Sequence, residues 1–79
     1  MEKTLVEVTW RDVIATNEWE TEITCPTIVT LGYLVSDDGN TLTIANTIDY
    51  EDWQNKSGQP VYYGLTAFPK GCVMSVKQV

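Results

Sequence analysis

Ile28-Val-Thr-Leu-Gly-Tyr-Leu-Val35 and Leu42-Thr-Ile-Ala-Asn-Thr-Ile48 are two apolar runs set on either side of Asp37-Asp38-Gly39-Asn40. Apolar, β-branched and aromatic residues interrupted by an Asp-Gly pair are the strongest short-range signal of a β-hairpin. With Asp38 and Gly39 as the two central turn residues, the pairing sets Val35 against Leu42, Tyr33 against Ile44, Leu31 against Asn46 and Val29 against Ile48. Nearly every apolar side chain then meets another, and a one-residue slip would scatter them. The expected core face therefore holds Val29, Leu31, Tyr33 and Val35 on one strand and Leu42, Ile44 and Ile48 on the next.

Working outward, Leu5 to Trp10 alternates as a strand, with Val6, Val8 and Trp10 on one face. Arg11 to Glu22 is polar, a long excursion in which Glu18, Glu20 and Glu22 alternate with Trp19, Thr21 and Ile23. Cys25-Pro26 ends it, because proline has no amide to give to a central ladder. Asp49 to Pro60 is rich in turn formers and reads as a second long loop. Val61 to Phe68 resumes strand character, Pro69-Lys70-Gly71 makes a tight corner, and Cys72 to Lys77 is a short last strand, with the alternation of Cys72, Met74 and Val76 predicting burial. The expectation is one domain, residues 1–79, all-β, with five strands, a tight central hairpin and two longer loops.

Size and charge bound the function. A chain of 79 residues buries only about 60% of its unfolded surface, so its stability is small, about 4 to 10 kcal/mol. Eleven acidic against five basic residues give a net charge of −6, which repels a phosphate backbone and argues against nucleic-acid binding. No apolar run approaches the ~20 residues that cross a bilayer, and Met1-Glu2-Lys3 leads directly into strand-like sequence rather than an apolar leader. The expected location is the cytoplasm, without membrane contact. Cys25 and Cys72 are expected as free thiols.

Catalysis finds little to work with. The chain has no histidine, so Ser-His and Cys-His arrangements are impossible within it, and a non-enzymatic role without cofactor or metal is expected. Asp49, Glu51 and Asp52 lie close together and read either as a solvated acidic loop or as oxygen ligands for a cation. The three tryptophans and four tyrosines exceed what so small a core takes, which puts some at the surface. Trp10 is expected inside. Tyr62 and Tyr63, as neighbours on a strand, point to opposite faces. Trp53, in a polar loop, is either a lid or a contact residue. An aromatic beside a cation offers stacking and charge neutralisation together. Tyr50, Trp53 and Lys56 of the second long loop, with Arg11 and Trp19 of the first, are therefore the candidate binding residues.

Five short strands, a long first loop and the corner Phe68-Pro69-Lys70-Gly71-Cys72-Val73 resemble a small SH3-like or Sm-like barrel, in which a short 3₁₀ turn joins the last two strands. The order Val8-Thr9-Trp10-Arg11-Asp12, Pro26, Gly32-Tyr33-Leu34-Val35, Ile44-Ala45 and Phe-Pro-Lys-Gly-Cys-Val is similar to small, uncharacterised proteins of tailed-phage genomes. That resemblance implies a phage accessory protein in the host cytoplasm. Two binding roles follow as expectations: a homo-oligomer that sequesters a small nucleotide-like signal to antagonise host defence, or a module that docks on and blocks a host protein through an acidic, aromatic surface.

Overall fold

The computed structural model describes residues 3–15, 19, 23–50 and 59–79. Five strands form one antiparallel sheet: β1 (Leu5–Arg11), β2 (Thr27–Asp37), β3 (Thr41–Asp49), β4 (Val61–Pro69) and β5 (Val73–Gln78). A 3₁₀ turn over Lys70–Cys72 joins the last two. The strand order is β4-β3-β2-β1-β5. Strand positions match the sequence expectation to within two residues at each end. Arg11 closes β1 instead of lying in the loop, and Cys72 belongs to the 3₁₀ turn instead of the last strand. No helix among the described residues is long and apolar enough to cross a membrane.

The register of the central hairpin differs from the expectation, for a physical reason. Leu42 pairs with Asp37, Thr43 with Ser36, Ile44 with Leu34 and Ala45 with Tyr33, with a bulge between Leu34 and Ser36. A two-residue turn on Asp38 and Gly39 of the usual hairpin type needs positive φ at both, and only Gly39 has it, at 89°. A wider connection forms instead. The Asp37 carboxylate accepts the Gly39 amide at 3.1 Å, and the Asp38 carboxylate accepts those of Asn40 and Thr41 at 2.9 and 2.8 Å. Carboxylates that bond amides two residues ahead stabilise such turns without a second left-handed residue. The one or two residues of slip this introduces leave Val29 and Leu31, 56% and 57% exposed, on the outer face rather than in the core.

The core lies on the other face. Val6 and Val8 of β1, Leu42 and Ile44 of β3 and Phe68 of β4 form it, with Trp10, Leu34 and Val73 packed against them. Trp10 and Phe68, on strands that are not sheet neighbours, bring their ring centroids to 5.2 Å. The Lys3 ammonium stands 5.2 Å from the Tyr62 ring centroid. These two contacts run β1 along β4 across the core, so the sheet curls over on itself. It does not close: β4 and β5 are its two edges.

The curl turns on β2. Its first half pairs with β1, from Arg11 against Thr27 to Leu5 against Tyr33, while only Tyr33 to Asp37 pair with β3. At the bend stands Gly32, where a Cβ would lie 2.8 Å from Ile44 Cδ1 and 3.0 Å from the Ala45 carbonyl oxygen. Only glycine lets the two halves approach so closely without displacing either neighbour. Trp10 is fixed by its indole N–H, which donates to Thr30 Oγ1 at 3.0 Å, satisfying the polar end of a mostly apolar ring. The expected burial along Cys72, Met74 and Val76 does not hold. Met74 is 58% exposed, because the shift between Thr9 and Trp10 interrupts pairing with β5 at an edge strand.

Candidate functional site

The outer face of the sheet carries an apolar row that polar-out alternation would not produce. Registers set Leu5 of β1, Tyr33 of β2, Ala45 of β3 and Leu65 of β4 side by side. Leu31 and Val29 continue the face along β2, and Tyr63 continues it along β4, since residues two apart share a face. Leu65 is 59% exposed and Tyr63 46%, while Ala45 between its neighbours is fully covered. Thus β2 is apolar on both sides, Ile28 and Leu34 facing inward and Val29 and Leu31 outward. That two-sided apolar composition is the signal in the sequence that marks this surface.

The residues singled out from the sequence fall at different places. Arg11 ends β1 and is exposed, its Nη2 donating to the Cys25 carbonyl oxygen at 3.1 Å. Beside it, the Asp12 amide donates to the Pro26 carbonyl oxygen at 3.0 Å. Arg11 therefore braces the mouth of the first long loop at the Trp10 and Phe68 end of the core. Trp19, in that loop, stands almost wholly in water at 92% exposure. Tyr50 follows β3, whose Asp49 pairs with Val61, next to Tyr62 and hence at the Lys3 end. The seven residues of β1 lie between the two ends, roughly 23 Å of extended chain. Arg11 and Tyr50 are not brought together. Trp53 and Lys56, and with them Glu51 and Asp52, lie outside the described residues, as do Glu18, Glu20 and Glu22.

Charge on the remaining surface is locally organised. Lys70 donates from Nζ to Asp37 Oδ2 at 2.8 Å, tying the 3₁₀ turn to the hairpin turn, and the Lys70 amide donates to the Asn40 carbonyl oxygen. The Asp37 carboxyl is held below the ordinary carboxylate range by the Lys70 hydrogen bond first and the Gly39 amide second. The Asp38 carboxyl is lowered by the amides of Thr41 and Asn40. Lys70 thus serves a turn. Cys25 is exposed and Cys72 half-buried, and neither is bridged. Tyr62 and Tyr63 do take opposite faces, the first half-buried under Lys3 and the second outward.

No family model matches the chain, and neither the curated proteins nor the solved structures contain a match to it.

Proposed function

We propose that the protein acts by binding rather than by catalysis, as a phage-type accessory module that docks on a host protein through aromatic side chains set in an acidic surface. The carrying observation is the separation of the candidate residues: Arg11 belongs to one end of the curled sheet and Tyr50 to the other. A small flat ligand cannot touch both ends of one protomer, whereas a protein surface can. Trp19 and Tyr50 keep 92% and 62% of their surface in water, and aromatics are the residues most enriched at protein contacts. The net charge of −6 adds long-range attraction toward a basic partner. The five-strand order and the 3₁₀ link between β4 and β5 support reading the fold as an incompletely closed SH3-like or Sm-like barrel.

The test is native mass spectrometry of the protein purified from a bacterial host, repeated for Trp19→Ala and Tyr50→Ala. A host protein held at fixed stoichiometry and weakened at least about tenfold by either substitution is the expected result. A nucleotide carried in its place would refute docking and restore sequestration of a signal molecule. Trp53→Ala and Lys56→Glu extend the same comparison to the second loop.

A further inference from the structure

We propose that the outer face of β2, β3 and β4 packs against the same face of a second copy of this chain, about a two-fold axis. Six side chains define the face: Val29, Leu31, Tyr33, Ala45, Tyr63 and Leu65. The registers place Tyr33, Ala45 and Leu65 in one row, and Leu31 and Val29 continue the same side of β2 along the half that pairs with Glu7 and Thr9 of β1.

Charge selects the occupant. One residue in five of the chain is charged, with a net charge of −6, so two copies repel wherever their carboxylates come close. The six named residues are uncharged, and the one carboxylate set beside them in register, Glu7 next to Leu31, is flanked in turn by Lys77, so two like-charged copies can meet here. At its border the β1–β5 register sets Glu7 directly across from Lys77. An acid and a base side by side form a self-complementary pair, because a two-fold mate can bring its Lys77 to Glu7 and its Glu7 to Lys77.

Area is sufficient. Val29, Leu31, Tyr63 and Leu65 are each about half in water and together present on the order of 400 Å² of apolar surface. A standard interface takes roughly 800 Å² from each partner, a little over half of it apolar. The four side chains thus supply about the apolar share that a stable dimer needs. Neither Trp19 nor Tyr50 is among the six, so this inference and the docking role rest on different residues.

Sedimentation equilibrium on the purified protein, without any host component, tests the inference separately from the docking role. The parent should sediment as a dimer of the 8.9 kDa chain at tens of micromolar. Leu31→Lys and Leu65→Lys should each raise the dissociation constant at least about tenfold, since each change enters the two-fold interface twice. Met74→Lys, equally exposed but on β5, should leave it unchanged. If a lysine variant loses the circular dichroism of the sheet, Leu31→Ser reads the same equilibrium without adding a charge. A parent that stays monomeric at 200 µM or about that would overturn the proposal. So would a dimer that survives both outer-face substitutions, or one that Met74→Lys dissociates.

Discussion

A single methyl group at Gly32 probes the bend on which the curl depends. The new Cβ in Gly32→Ala would sit 2.8 Å from Ile44 Cδ1, 3.1 Å from Ile44 Cβ and 3.0 Å from the Ala45 carbonyl oxygen. Ile44 is 2% exposed and Ala45 fully buried, so neither can move aside into water. Overpacking of this kind costs about 1 to 3 kcal/mol. Because Gly32 does not have positive φ, alanine also narrows the unfolded ensemble, offsetting about 0.4 to 1 kcal/mol. The net loss we predict is about 0.5 to 2 kcal/mol. Ile44→Val removes the Cδ1 that makes the closest contact and alone costs about 0.5 to 1.5 kcal/mol. Combined, the two should cost at least about 0.5 kcal/mol less than their sum, since the shorter side chain makes room for the methyl group. Urea unfolding followed by tryptophan fluorescence, with slopes checked for constancy, reads all four corners of the cycle. A Gly32→Ala variant as stable as the parent, or strictly additive losses, would show that the halves of the sheet do not meet at Gly32.

Gly64 sits inside β4 with φ of 65° and the Asn46 side chain lying where a Cβ would go; Gly64→Ala should therefore cost about 1 to 3 kcal/mol, and thermal unfolding of the variant checks it. Leu42→Ala, at a side chain 1% exposed, should cost about 2 to 5 kcal/mol, whereas Leu31→Ala, at one 57% exposed, should cost well under half of that in the monomer; equal losses in dilute solution would return Leu31 to the core. Asp37 and Asp38 have folded pKa values lowered from 3.8, so the stability they add is present above that value and is lost as pH falls through their lower folded values. Asp37→Asn and Asp38→Asn should accordingly flatten the acid limb of stability against pH below about pH 4, and an acid limb as steep as the parent's would contradict the turn geometry.

Strand positions were readable because each is a run of β-branched or aromatic residues bounded by proline, glycine or aspartate. The tight corner at Pro69-Lys70-Gly71 is legible from its proline and glycine, while its 3₁₀ form, over Lys70–Cys72, is what the barrel resemblance implies. Core membership was only half readable. Leu42, Ile44, Val6, Val8 and Trp10 are legible as core, since Val6, Val8 and Trp10 alternate with Glu7, Thr9 and Arg11, and Leu42 and Ile44 flank Thr43. The outward position of Val29 and Leu31 is not, because residues of both parities in β2 are apolar and only the turn fixes which parity faces in. That decision rested on the backbone of Asp38, whose negative φ widens the turn and shifts the pairing. Among the binding candidates, exposure of Trp19 and Tyr50 could be expected from their polar surroundings. The separation of Arg11 from Tyr50 could not, since it depends on β1 lying across the core from β4, a contact of residues far apart in sequence.

The pairing of β1 with β5 joins the two ends of the sequence, Val6 to Gln78, while β2, β3 and β4 are linked as successive neighbours. Assembly then has a natural order. The meander closes through connections of at most 11 residues, between β3 and β4, whereas the outer edge of β1 must wait for the most distant segment of the chain to return, the slowest kind of contact to form. Phe68, Leu42 and Ile44 can gather within the meander, and Val73 joins that core only with the last strand. Substitutions in β5 should for this reason speed unfolding while leaving the refolding rate nearly unchanged. The last strand acts as a latch: it governs how long the native state lasts more than how fast it is reached.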